Sequence, residues 1–233
     1  MPNSLRPMLG VSELSQNKNS AGEINPISRM LLTFSILAVS YFGLVILVLS
    51  LFDRDYNPIS DAASDYGVGR FAIPMNLGFL IAGIGFIAFS VAYYQIRQER
   101  KSRVGPAFVF FAGLILVMDS YFTTNLPGAP PTLHGTIHGF GGLLFFISAP
   151  VGILLVSQKI SRSRFLVTLL ALLIGYVVLG LPINAGGLGE RLILLVIFVA
   201  VIVFSLRILK NSRPPLNTGD VILDSSSPGK DSI

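Results

Sequence analysis

His134 and His138 are the only two histidines of the chain, and they stand four residues apart, one turn of a helix. Imidazoles at that spacing approach a Zn²⁺ ion from one side. Asp119, on the segment just before them, brings the charge of a third ligand and water supplies the fourth. A hydroxide generated on such a metal attacks a carbonyl. With Asp61 and Ser60 as assisting catalytic groups, the set would make a metal-dependent membrane hydrolase acting on a lipid amide or ester. Two familiar alternatives drop out. Gly135 stands where a metalloprotease carries its glutamate, and two histidines on one helical face cannot reach opposite faces of a haem.

The same residues support a second reading without an enzyme, and this is the reading preferred. Asp119 and His138 fall at similar depth on segments joined by one hairpin, so a buried Asp–His network would lock two helices together. Asp119, His134 and His138, with Asn76, Glu190 and Arg191, then form a polar ring that binds a small ligand or lipid head group or holds the assembly. No cofactor is expected under this reading; Zn²⁺ belongs to the hydrolase alternative. The run from Asp53 to Gly67 contains Asp53, Asp55 and Asn57 in a pattern that superficially suggests a Ca²⁺ loop, but the glycine and glutamate such loops need are missing. Turn formation and capping explain its Asp, Asn and Ser residues better, with Ser60 or Asp61 starting a short surface helix. Arg70 or Arg191 would neutralise one of the acids.

The elements that must position these groups follow from composition. Hydrophobic residues make up 52% of the 233-residue chain and charged residues only 12%, about half the charge of an ordinary soluble domain. Too few charges remain to cover a water-soluble surface. The chain has no cysteine, which excludes disulfides, thiolate metal sites and cysteine nucleophiles. Six apolar runs approach the roughly 20 residues needed to cross a bilayer: Met30–Phe52, Ile73–Ile96, Val104–Phe122, Ile137–Ser157, Phe165–Ile183 and Leu192–Leu209. Their length and continuity suit helices and not alternating barrel strands. The predicted fold is therefore all-α, a polytopic membrane bundle of six transmembrane helices. Its domain spans residues 30–210, between a disordered arm over 1–29 and a disordered tail over 211–233.

Basic residues orient the bundle. With the amino terminus cytoplasmic, fourteen of the seventeen Lys and Arg lie on the inner side, leaving Arg54, Arg70 and Arg191 outside. This positive-inside asymmetry places both termini in the cytoplasm of a cell-membrane protein. It also explains the net charge of +5 without nucleic acid as a partner; the partners expected are membrane lipids. The acids Asp53, Asp55, Asp61, Asp65, Asp119 and Glu190 gather at the outer face. Glycines at 78, 83 and 85, and at 135, 139 and 142, mark helix faces where backbones approach closely. Thr132 is the expected N-cap of the fourth helix.

The run Asn57-Pro58-Ile59-Ser60-Asp61, followed by Met75-Asn76-Leu77-Gly78-Phe79-Leu80-Ile81-Ala82-Gly83, resembles a prokaryotic six-helix membrane family catalogued as domain of unknown function 998. His134–Gly139 and Ala149-Pro150 fit the same resemblance, over about residues 30–210. The Ile-Ser-Asp segment before the second span is more loosely similar to the Frag1/DRAM/Sfk1 membrane proteins. In chemistry alone, Ser60, Asp119, His134 and His138 resemble the membrane hydrolases that include alkaline ceramidases and progestin/adiponectin-type receptors. Those usually have seven spans and three metal-binding histidines. None of these resemblances implies a reaction for this chain.

Overall fold

A computed structural model describes residues 24–96, 103–179 and 185–211. Among these residues six helices carry the fold: α1 Pro26–Phe52, α2 Ala72–Ile96, α3 Val104–Asp119, α4 Leu133–Ile160, α5 Arg162–Leu179 and α6 Gly186–Lys210. Two short 3-10 turns, Ala63–Gly67 and Gly69–Phe71, lie between α1 and α2. Among the described residues there is no strand. Five of the described helices are long and apolar enough to cross a membrane, and the chain is an integral, multi-pass membrane protein. The sixth, α3, is equally apolar but has 16 residues, about 24 Å at 1.5 Å per residue. It stops at Asp119, short of the expected Phe122, because Ser120 and Tyr121 turn back onto the last turn: Ser120 Oγ donates to the Val117 carbonyl at 2.6 Å.

Helix starts obey local capping chemistry. Asn25 accepts a hydrogen bond from Ser28 N at 2.6 Å and Pro26 follows at the first helical position, so α1 begins four residues ahead of the predicted apolar span. Thr132 caps α4 as expected, its hydroxyl oxygen accepting from Gly135 N at 3.0 Å. The short helix of the first connection starts at Ala63, not at Ser60 or Asp61. Asp61 is drawn instead into closing the preceding turn, where its carboxylate accepts from Asn57 N at 2.8 Å.

Each helix packs on its neighbours in sequence, and α6 returns to α1, closing a ring. A chain of aromatic rings fills the centre: Phe42 lies 4.9 Å from Phe79 and 5.6 Å from Phe198, and Phe86 bridges Phe198 and Phe145. Close approach is set by glycine where the sequence pattern placed it on α2. A Cβ on Gly78 would strike the Phe42 ring, and one on Gly85 would strike Ala38 Cβ. Gly83 and Gly113 face each other, each presenting its carbonyl oxygen 2.7 Å from where the other's Cβ would be. On α4 the pattern differs from expectation. Gly139 and Gly142 border open space, whereas Gly141 and Gly152 make the close contacts with α3.

Pro150 interrupts α4. It has no N–H for the carbonyl of Phe146, one turn earlier, and the hydroxyl of Tyr176 on α5 donates to that oxygen. Buried hydroxyls tie other helices, among them Ser35 on α1 and Ser205 on α6, 3.2 Å apart. The connection over residues 53–71, the connection over 120–132 and the start of α6 share one end of the bundle: Leu188 N donates to the Ile59 carbonyl at 2.9 Å, and Leu126 and Pro127 flank the first connection. Asn184, Arg97, Arg100 and Lys101, and residues 1–23 and 212–233, lie outside the described residues.

Candidate functional site at the loop end

The first connection is built from its own acids. Asn57 Oδ1 accepts from Ile59 N at 2.9 Å, and the Asn57 carbonyl accepts from Asp61 N at 2.8 Å. Ser60 Oγ donates to Asp61 Oδ1 at 2.6 Å. The Ser60 hydroxyl and the Asn57 amide stabilise the ionised form, so the Asp61 carboxyl titrates below the usual carboxylate range. Asp65 accepts from Ala62 N at 3.1 Å, but burial outweighs that bond and pushes its carboxyl up. Ser60 and Asp61, the catalytic candidates of the hydrolase reading, are thus bonded to each other and to this turn.

Glu190 and Arg191 clamp the connection onto the bundle. Glu190 Oε2 accepts from Ala63 N at 3.0 Å. Arg191 Nη1 donates to the Asp61 carbonyl at 2.7 Å and to the Gly187 carbonyl at 3.0 Å, while Nε donates to Ser50 Oγ at 3.2 Å. Its guanidinium also stands 5.7 Å from the centre of the Tyr66 ring. Gly187 is required here, since a Cβ would collide with the Asp61 carbonyl. Asn76 Nδ2 donates to the Gly67 carbonyl at 3.1 Å. Three members of the predicted polar ring are therefore engaged in holding the first connection. Of the two arginines expected to neutralise an acid, Arg70 does so, with Nη2 2.8 Å from buried Asp53. Arg191 donates to carbonyls and to the Ser50 hydroxyl, and its charge favours the ionised forms of Asp61 and Asp65.

The histidines separate. His134 is exposed at the start of α4 and packs at a tilt against Phe122 and Tyr121, with ring centres 5.1 and 5.6 Å away. His138, one turn deeper, is buried; its Nδ1 donates to the Phe122 carbonyl at 2.8 Å, since a carbonyl only accepts. Asp119 Oδ1 is 3.7 Å from the same nitrogen, too far for a hydrogen bond. Asp119 and His138 thus adjoin as expected, with the carboxyl and the imidazole at ion-pair distance and not at hydrogen-bond distance. Among the described residues no three metal-ligating side chains converge, and His134 stands apart from the other two proposed ligands.

What the arrangement leaves open is a cavity of about 490 Å³ at the loop end, lined by Asp53, Asp55, Tyr56, Asp61, Asp65 and Arg70, with Phe71 and Pro127 at its sides. Four carboxylates against one guanidinium give it a strong negative bias. Tyr56 packs edge-on against Tyr66, ring centres 5.1 Å apart. Burial and the surrounding acids, Asp65 foremost among them, raise the Tyr56 phenol, so it stays neutral and presents an aromatic surface. Asp65, Tyr56 and Phe71 were not among the candidate site residues. The sequence does carry a signal for two of them, the acid–aromatic pairs Asp55-Tyr56 and Asp65-Tyr66 flanking one turn.

No curated protein and no solved structure matches the chain. A family model described as "Protein of unknown function (DUF998)" matches residues 36–207, more than two thirds of the chain and all six helices in whole or part. The chain belongs to that family, as its Asn57–Asp61 and Met75–Gly83 segments suggested.

Proposed function

We propose that this protein is a cell-membrane protein with both termini cytoplasmic and its loop end outside, where it binds an ammonium group in the acidic, aromatic-walled cavity. The observation that carries the reading is the lining itself. Asp53, Asp55, Asp61 and Asp65 supply negative charge, Arg70 faces Asp53 at 2.8 Å and Asp55 at 3.7 Å while its guanidinium covers the Phe71 ring, and Tyr56 supplies aromatic surface. Carboxylates beside aromatic rings suit a cation that is partly stripped of water. The cavity adjoins the helix ends, so both a soluble amine and the head group of ethanolamine or choline lipids present the same chemistry there. The orientation rests on the distribution of Lys and Arg.

Thermal unfolding in phosphatidylglycerol nanodiscs tests this, with ethanolamine, choline, glycerol or acetate added. Ethanolamine or choline should raise the midpoint while glycerol and acetate do not, and Asp65→Asn should remove most of the gain. Nanodiscs containing phosphatidylethanolamine separate the lipid from the free amine: if the head group is the ligand, they stabilise the protein with no amine added. An equal shift with glycerol, or an undiminished shift in Asp65→Asn, would overturn the proposal.

A further inference from the structure

Among the described residues that line the acidic cavity, Arg70 is the one cation, and most of its hydrogen-bonding capacity is unspent. A guanidinium carries a fork of N–H donors. Among the described residues Arg70 uses one of them, Nη2 donating to Asp53 Oδ1 at 2.8 Å; Asp55 Oδ2, at 3.7 Å, is beyond hydrogen-bond reach. One face of the group covers the Phe71 ring, 4.6 Å from its centre, which holds the fork in place. The Arg70 side chain is nonetheless 61% exposed, while that of Asp53 is 1% exposed. The ion pair thus buries its acid and leaves its guanidinium open.

Position gives the open donors their partner. Arg70 belongs to the 3-10 turn Gly69–Phe71 that leads directly into α2, and Asp53 is the residue that ends α1. The apolar side chains near them, Ile73 and Phe52, are 82% and 73% exposed, so this rim stands where the hydrocarbon boundary meets the head-group layer. Phosphate oxygens are the acceptors abundant at that level, and the planar fork of an arginine matches a pair of them. A lone phosphate is disfavoured here, since Asp53, Asp55, Asp61 and Asp65 line the same cavity. A phosphate that carries its own ammonium is not: its cation meets the Asp61 and Asp65 carboxylates beside Tyr56 while its anion stays on the exposed guanidinium.

We infer that the cavity recognises a zwitterionic phosphodiester, the head-group chemistry of choline and ethanolamine phospholipids, with Arg70 donating to the phosphate and the carboxylates holding the ammonium. This rests on the ammonium reading above and adds the anion that selects among amines. Calorimetry on the protein in phosphatidylglycerol nanodiscs, titrated with choline, glycerophosphocholine or inorganic phosphate, tests it. Glycerophosphocholine should bind about tenfold more tightly than choline, as expected for one charge-assisted pair at an exposed site, and inorganic phosphate should give no binding heat. Arg70→Gln should bring the ratio of the two affinities to about one, and Arg70→Lys, which keeps the charge but not the fork, to an intermediate value. If Arg70→Gln fails to fold, the ratio in the unmodified protein and in Arg70→Lys still decides. Replacing phosphatidylglycerol with phosphatidylcholine identifies the source: loss of glycerophosphocholine binding assigns the site to the lipid head group, and its persistence to a soluble diester. Choline binding with no gain for glycerophosphocholine, or a gain that survives in a folded Arg70→Gln protein, would overturn this inference and leave the ammonium reading standing. Absence of binding by both would overturn the two together.

Discussion

Removing the Tyr176 hydroxyl should matter only because of Pro150. In an uninterrupted helix the N–H of residue 150 would donate to the Phe146 carbonyl; proline has none, and Tyr176 on α5 donates to that oxygen instead. Tyr176→Phe therefore leaves a carbonyl unmet inside the bilayer. A net hydrogen bond is worth about 0.5–1.5 kcal/mol, and interhelical polar contacts in membranes average about 0.6 kcal/mol and reach about 1.7. The unmet acceptor places this one in the upper half, about 1–1.5 kcal/mol. In a Pro150→Ala background the restored backbone N–H at this position resumes the helical bond, and Tyr176→Phe should cost only a few tenths of a kcal/mol. The coupling energy of the double-mutant cycle is then about 1 kcal/mol, measurable by reversible unfolding in bicelles. A Tyr176→Phe cost that is the same in both backgrounds would refute the reasoning, since it would assign the tyrosine's contribution to packing and not to the carbonyl that Pro150 frees.

Gly113→Ala should destabilise the bundle by about 1–3 kcal/mol, because its Cβ would meet the Gly83 carbonyl oxygen at 2.7 Å and neither backbone can yield; the same unfolding assay reads it. Arg191→Lys should speed proteolysis within residues 53–71 several-fold, since an ammonium cannot serve Ser50, the Asp61 carbonyl and the Gly187 carbonyl from one planar fork. His138→Ala should cost more than His134→Ala, by about 1 kcal/mol or more, because only His138 is itself buried and hydrogen-bonded to a backbone carbonyl; equal costs in unfolding measurements would count against the packing described. The acids predict two pH dependences, one of stability and one of ligand binding, both rising with pH over different ranges. The Asp61 carboxyl titrates below its unfolded value, so its contribution to stability is complete above the ordinary aspartate range and fades as pH falls through the folded value. Asp65 titrates above it, so ammonium binding should keep strengthening as pH rises beyond the ordinary aspartate range, and Asp65→Asn should flatten that upper limb of the binding curve.

The helices were legible because a bilayer demands long apolar runs, and nothing else in a chain produces them. Their ends were less so, for reasons particular to each. At α1 the signal, Asn25 followed by Pro26, is capping chemistry in a polar stretch that hydropathy passes over. At α3 the apolar run continues through Tyr121 and Phe122 while the backbone has already turned. The site was legible as an end of the molecule and not as a set of partners. Glu190, Arg191 and Asn76 are polar residues at a membrane boundary, as a binding residue would be, but their partners are backbone groups of a connection more than a hundred residues away for the first two. A single sequence does not display such pairings. His134 and His138 have the spacing of a ligand pair; one is exposed at the helix start and the other is buried and donates to the Phe122 carbonyl, a difference in depth that spacing alone does not encode.

One labelling experiment tests both the outward orientation of the acidic cavity and its hold on an ammonium group. Because the chain has no cysteine, Val68→Cys puts a unique thiol in the cavity lining while leaving all four acids in place. Labelling of intact cells with a membrane-impermeant maleimide should proceed without permeabilisation and slow several-fold when choline or ethanolamine is present, but not with glycerol. Labelling that requires permeabilisation would contradict the orientation, and a rate indifferent to the amine would contradict the binding.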